Sequence, residues 1–126
     1  MSDQFTLSGS YNVTPLGGSA SLDPSIDSPL NEALTLQSKQ YIPIHLTTDA
    51  ATPVPYGTVV NAHIVILKAA GGKVKATLTS ADGSAQVVPF DTVLIVRSDS
   101  MPITAISLTR TLATDTTVRV FLGEKA

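Results

Sequence analysis

The fold class is decided by the stretch Thr92-Val-Leu-Ile-Val-Arg97, Ile103-Thr-Ala-Ile-Ser-Leu-Thr109 and Thr117-Val-Arg-Val-Phe-Leu122. Each of these three segments is short and rich in Val, Ile and Thr. Branching at Cβ restricts χ1 and suits a pleated sheet. Asp, Ser, Pro and Thr residues separate the segments, and no run with helical periodicity intervenes. The last third of the chain is therefore predicted to form three successive β-strands.

The same signals recur upstream. Apolar and polar residues alternate over Phe5–Val13, which predicts a half-buried strand. Similar runs predict strands at Asn31–Gln37, Tyr41–Leu46, Thr58–Leu67, Lys73–Thr79 and Ala85–Val88. Pro43 donates no hydrogen bond, so its strand is expected at a sheet edge, or with that position pointing outward.

Three turn signals connect the predicted strands. Gly71-Gly72 predicts a hairpin between Thr58–Leu67 and Lys73–Thr79, because two glycines supply the positive φ angles of tight turns. Asp82-Gly83 predicts another turn. Residues 113–116 are expected to turn a last hairpin that pairs the final two strands.

These elements predict an all-β protein, an antiparallel β-sandwich or jelly roll of about eight strands, in a single domain over residues 1–126. Residues 14–31 break the pattern, because Pro and Gly at that density prevent both helix and ladder. This segment is expected to be an extended connection. It is either a contact arm lying on a neighbour or an ordinary surface loop.

Composition constrains the partners. The chain has 126 residues with a hydrophobic fraction of 43% and a charged fraction of 14%, below the usual quarter. A surface with so few charged residues favours a protein whose surface is partly covered by other copies of the chain or by a partner. The alternative is a monomer with a surface rich in Ser and Thr. The net charge is −2 and the cations are scattered, so no nucleic-acid partner is expected. The longest apolar run, Val59–Leu67, is too short to span a bilayer, and no membrane association is expected.

Few residues offer chemistry. With no Cys, His45 and His63 would need carboxylate help to hold zinc, and Asp49 is the nearest in sequence. Asp23 and Asp27 lack the spacing of a calcium loop. No Gly-x-Ser-x-Gly elbow is present. We therefore expect no catalytic residues, no metal and no cofactor, and the protein is predicted not to be an enzyme.

The segments Pro102-Ile-Thr-Ala-Ile106 and Thr116-Thr-Val-Arg-Val-Phe-Leu-Gly-Glu124 resemble the C-terminal part of small structural proteins, decoration and minor head proteins, of tailed-bacteriophage virions. The resemblance is confined to the C-terminal third. It implies a β-sandwich or jelly roll that binds the assembled shell, often as a symmetric oligomer, and has no catalytic residues. It also implies a virion protein made in the host cytoplasm, with the major capsid protein or other virion proteins as partners and a trimer or dimer as its own assembly.

The expected interface combines aromatic residues with the apolar and proline residues near the N-terminus. Its members are Phe5, Tyr11, Pro15, Leu16, Pro24, Pro29, Tyr41 and Tyr56. Three alternatives stay open. A tail, neck or fibre component would use the same kind of surface. A glycan-binding module would need two or more exposed aromatics flanking one groove, with Tyr41 and Tyr56 as its best candidates. An enzyme would need a cleft with two convergent carboxylates or a His–carboxylate pair.

Overall fold

The computed structural model describes residues 3–10 and 29–126, and these residues form nine β-strands. In chain order the strands are β1 Asp3–Ser10, β2 Pro29–Leu46, β3 Thr52–Pro53, β4 Ile64–Ala70, β5 Val74–Ser80, β6 Ala85–Phe90, β7 Val93–Arg97, β8 Ile103–Arg110 and β9 Thr116–Lys125. No helix occurs within the described ranges. The predicted all-β class is confirmed.

The strands form two antiparallel sheets. One has the order β1-β2-β9-β4-β7 and the other β3-β8-β5-β6. From β2 onward, every connection except the β5–β6 hairpin passes from one sheet to the other. Strands β2 to β9 thus form a jelly roll, two four-stranded sheets face to face, and β1 is added at the edge beside β2.

Two of the predicted hairpins are wrong. Residues Gly71-Gly72 join β4 to β5, and residues 113–116 lie between β8 and β9, but in both cases the two strands belong to different sheets. Tight-turn residues allow a sharp reversal without specifying whether the strand that follows pairs with its predecessor or crosses to the facing sheet. The Asp82-Gly83 prediction is confirmed, because β5 and β6 pair across it.

The two largest differences in strand boundaries concern β4 and β2. The strand predicted from Thr58 begins at Ile64, because residues 56–59 form a turn in which the Val59 N–H donates to the Tyr56 carbonyl at 3.0 Å. The two strands predicted around residues 31–46 form one strand, β2, with a bulge between Leu36 and Ser38. Tyr11–Val13, at the end of the first predicted strand, lie outside the described residues.

The predicted irregular connection over residues 14–31 extends too far at its end. Pro29–Asn31 belong to β2 and pair with Ser8–Ser10 of β1. Proline is tolerated there because the first residue of a strand can lack a ladder donor. Residues 11–28 lie outside the described part of the chain. Pro43 lies where β2 pairs with β9 alone among the described strands, which confirms the predicted edge position.

The core lies between the sheets. Alternate residues of β9 point into it, namely Val118, Val120 and Leu122, and each is fully buried. Val65 and Leu67 of β4 lie beside them, and residues such as Val74 and Leu108 face them from the other sheet. Burial of these branched side chains, at roughly 25 cal/mol per Å² of apolar surface, is the main stabilising term.

Strand β2 reaches beyond this core. Its pairing with β9 ends where Leu36 lies opposite Lys125, whereas its first half pairs with β1. We call the paired segments Asp3–Ser10 and Pro29–Leu36 the β1–β2 ribbon. Residues 29–35 of β2 therefore pair with β1 and not with β9, over a length of about 20 Å at roughly 3.3 Å per residue. Beyond β1, only the Ala126 N–H bonds to its backbone among the described residues, at the Thr35 carbonyl.

Candidate functional site on the outer face of the five-stranded sheet

The face of the five-stranded sheet that points away from the core carries the candidate site. Successive side chains of a strand point to opposite faces, so burial of Val118, Val120 and Leu122 turns Thr117, Arg119 and Phe121 outward. The pairing register aligns these positions with outward residues of β2, β4 and β7. We call this surface the outer face, and its side chains form rows that run across the strands.

One row is apolar across four strands. Tyr41 of β2 lies opposite Phe121 of β9, Phe121 opposite Ile66 of β4, and Ile66 opposite Ile95 of β7. Tyr41 is 64% exposed and Ile95 43% exposed. Exposed aromatic and branched residues in one contiguous row are typical of binding surfaces rather than of scattered surface apolars.

The next row contains two cations. Arg119 of β9 lies directly opposite Lys68 of β4, with Pro43 of β2 at one end and Val93 of β7 at the other. Lys68 and Arg119 are exposed, and neither forms an ion pair or hydrogen bond within the described part of the chain. Like charges directly opposite each other across two strands are destabilising. The arrangement therefore costs the isolated protein some stability.

Two depressions flank this cation pair, and Lys68 and Arg119 line both of them. The smaller, of about 280 Å³, is completed by Tyr41, Ile66 and Phe121. The larger, of about 700 Å³, extends over residues of β2, β4, β7 and β9 that include His45 and Val93. The larger volume lies within the range of about 300–1,000 Å³ that is usual for ligand pockets. The outer face thus combines positive charge with apolar hollows on either side.

The histidines lie apart. His45 is on the outer face, where its Nδ1 lies 3.0 Å from Thr117 Oγ1. His63 precedes β4, and its Nδ1 accepts the Lys125 N–H at 3.0 Å. Asp49 accepts a hydrogen bond from Arg110 at 3.0 Å. Among the described residues, no three His, Cys, Asp or Glu side chains converge as metal ligands would.

A small second core joins the β1–β2 ribbon to the sandwich. Leu36 (2% exposed) and Ile64 (1% exposed) pack with Leu34, against half-buried Ile66 and Phe121. The bulge after Leu36 reverses the alternation of β2, so these leucines lie on the outer side of the sheet while Ile44 and Leu46 lie inside. Leu36 and Ile64 meet over Gly123, where a Cβ would lie 2.9 Å from Leu36 Cδ2 and 2.6 Å from Ile64 Cγ2. Glycine is required there for close packing.

Glu124 is the buried carboxylate of the described chain, and its role is structural. Its Oε1 accepts the Val60 N–H and the Ser38 hydroxyl, both at 3.0 Å. Burial raises the pKa of Glu124, but these hydrogen bonds, with others from Gln37 and Asn61, outweigh it and the net pKa is lowered. The ionised side chain ties the bulge of β2 to the loop that precedes β4.

The expected interface residues are scattered. Phe5 and Pro29 belong to the β1–β2 ribbon, and Tyr41 lies on the outer face. Tyr56 is instead half-buried against the core, and its hydroxyl donates to the Ile103 carbonyl at 3.0 Å. Burial raises the pKa of the Tyr56 phenol above its usual range. The remaining members, Tyr11, Pro15, Leu16 and Pro24, lie outside the described residues, as do Asp23 and Asp27.

Sequence reasoning missed Lys68, Arg119, Ile66 and Phe121 as a group. Ile66, Arg119 and Phe121 stand on strands that were predicted at those positions, whereas Lys68 lies one residue past the end of the predicted strand Thr58–Leu67. The two cations also appear as scattered single charges in the sequence. Only the register between β4 and β9 places them side by side. The available signal was the alternation in β9, which assigns Arg119 and Phe121 to outward positions. The continuous apolar run at residues 64–67 gives no such signal for Ile66 or Lys68.

No family model, curated protein or solved structure matches this chain. Within the described ranges, no helix has the length and hydropathy needed to cross a bilayer.

Proposed function

We propose that the protein is a virion structural protein, a capsid decoration protein that binds and stabilises an assembled phage shell. Its partners would be the major capsid protein or other virion proteins, and copies of the chain would form a trimer or dimer. It would be made in the host cytoplasm and reside in the virion. The single observation that carries the proposal is the β1–β2 ribbon, a two-stranded ladder that over residues 29–35 of β2, a length of about 20 Å, pairs with no other described strand.

A ribbon of this kind favours binding to a partner protein. A two-stranded ribbon is marginally stable by itself in water, and its free edges present unpaired backbone groups to other chains. Addition of a strand to such an edge is a common mode of recognition. A ribbon that lies across a neighbouring subunit would gain contacts along edges that no other described strand occupies.

Two further observations support the same proposal. The jelly roll is a fold of viral capsid domains, although lectins share it, and fold alone does not assign function. The segments that resemble phage structural proteins, Pro102–Ile106 and Thr116–Glu124, correspond to β8 and β9 at the centre of the sandwich. Many weak contacts repeated by symmetry give large total stabilisation without any single strong site.

The test is to mix the purified protein with capsids that lack it. We expect saturable, stoichiometric binding and a rise in the melting temperature of the shell. A variant without residues 1–30 should keep the eight-stranded sandwich, because among the described strands β1 pairs with β2 alone, and it should not incorporate. The proposal fails if the full chain does not bind shells, and the role of the ribbon fails if the shortened chain incorporates normally.

A glycan-binding module is the second candidate, because Tyr41 and Phe121 line one depression. Aromatic rings beside a hollow can stack on sugars. A glycan array separates the two functions, since a decoration protein should bind none of its glycans. A tail, neck or fibre location would appear in labelled virions as copies arranged along the axis instead of over the shell.

A further inference from the structure

We propose that the outer face is the docking site for a carboxylate-bearing segment of a partner protein. An Asp or Glu carboxylate of the partner would lie between Lys68 and Arg119. An apolar or aromatic side chain next to it would fill the hollow lined by Tyr41, Ile66 and Phe121. The identity of the partner as a shell protein rests on the proposed function, but the chemistry of the site does not.

The register between β4 and β9 brings two cations together. Lys68 and Arg119 are directly opposite, and such a pair has Cβ atoms about 4.5–5.5 Å apart. One carboxylate has two oxygens and can accept a charge-assisted hydrogen bond from each cation. Binding would convert a repulsive pair into a bridged one. Among the described residues, neither cation has a carboxylate partner.

The surface that flanks the two cations is apolar. Tyr41 is 64% exposed and, with Val93 and Ile95 at the other side of the sheet, stays open to solvent. The hollow of about 280 Å³ beside the cations is lined by two aromatic rings and an isoleucine. Aromatic residues and Arg are the types enriched in the buried centres of interfaces. A partner with only a carboxylate would leave this hollow unfilled.

The same charges argue against a second copy of this chain on this face. A twofold contact brings the same patch of both copies together, so four cations would meet across it. Like charges facing each other across an interface cost several kcal/mol. The chain as a whole carries a net charge of −2, so the charge of this patch is opposite in sign to the net charge of the protein. The occupant is therefore a different, acidic surface.

The site can be tested without the partner by NMR titration of the full chain with three small probes. N-acetylphenylalanine carries a carboxylate and a ring, its amide carries the ring alone, and inorganic phosphate carries charge alone. We expect N-acetylphenylalanine to shift the amide resonances of Tyr41, Lys68 and Arg119 and to bind about tenfold more tightly than its amide, equivalent to about 1.4 kcal/mol. Equal binding of the amide, tighter binding of phosphate, or shifts confined to other surfaces would overturn the proposal.

Substitutions of the two cations test the site further. Lys68→Gln and Arg119→Gln should each weaken N-acetylphenylalanine binding, and added salt should weaken it in the native chain. Lys75→Gln is the matched control, because Lys75 is an exposed lysine on β5 of the other sheet and its loss should change nothing. Equal affinity in the Lys75 and Lys68 variants would contradict the assignment.

A capsid-binding assay separates this inference from the proposed function. If native protein binds shells and the Lys68→Gln/Arg119→Gln double variant binds them equally well, the docking site is wrong and the decoration role stands. If native protein does not bind shells but binds N-acetylphenylalanine as expected, the decoration role fails and the site stands.

Discussion

Replacement of Gly123 by Ala tests the junction between the β1–β2 ribbon and the sandwich. The new methyl group would lie 2.6 Å from Ile64 Cγ2 and 2.9 Å from Leu36 Cδ2, well inside the 3.4 Å at which ordinary contact begins. Ile64 is β-branched and fully buried, so it cannot simply rotate away. Overpacking of this kind typically costs about 1–3 kcal/mol.

A double-mutant cycle assigns that cost to the junction. Ile64→Ala alone should destabilise by about 2–5 kcal/mol because it opens a cavity. In the double variant the methyl group at position 123 enters part of that space. We therefore expect the two changes to be non-additive by about 0.5–3 kcal/mol, with the double variant more stable than the sum of the single changes. Urea unfolding of the four proteins measures this coupling.

Val65→Ala provides the matched control. Val65 adjoins Ile64 in β4 but points into the core, so its change should add to Gly123→Ala without coupling. Hydrogen exchange supplies a second readout, because the ribbon amides should lose protection in Gly123→Ala before the rest of the sheet does. Additive effects of Gly123→Ala and Ile64→Ala, or uniform loss of protection, would refute the packing argument.

Three further predictions concern other parts of the sheets. Glu124 has a lowered pKa in the folded chain, so its contribution to stability is present above its ordinary pKa of 4.5 and is lost as the pH falls through the folded value. The Glu124→Gln variant should therefore have a free energy of unfolding about 1.5–3 kcal/mol lower than the native chain at pH 7, measured by urea unfolding. The difference between the two proteins should shrink at acid pH. Lys68→Gln should stabilise the isolated protein by about 0.2–1 kcal/mol, because it removes repulsion from Arg119, and salt should reduce that gain while Lys75→Gln shows none. Gly71→Ala should destabilise by about 1–3 kcal/mol from strain alone, since φ is +122° and the new Cβ would lie 2.5 Å from a backbone carbonyl oxygen; a thermal melt that matches the native chain would contradict this.

Much of the fold was predictable because period-2 alternation is local. The patterns at residues 103–109 and 117–122 identified β8 and β9. Which sheet each strand joins was not predictable, because two glycines permit a sharp turn without specifying whether the next strand pairs with its predecessor or crosses to the facing sheet. The bulge in β2 was also not predictable from the sequence. It reverses the face of Leu36 relative to Ile44, and the sequence shows apolar residues at even positions on both sides of it.

The candidate site depended on information that the sequence does not contain. Tyr41 stood out as an aromatic residue on a predicted strand, and it does lie on the outer face. Lys68 and Arg119 become a pair only through the register of two strands that are distant in the chain. Tyr56 carried the same aromatic signal as Tyr41, yet it packs against the core, because an aromatic side chain in a turn region gives no indication of its burial.

The continuity of β2 has a mechanical consequence. One unbroken strand runs from the ribbon into the body, where residues Ser38–Leu46 pair with β9. The ladder bonds lie perpendicular to the strands, so tension applied at the far end of the ribbon would stretch them all together in shear instead of opening them one after another. A strand paired in this way resists being pulled out along its own length.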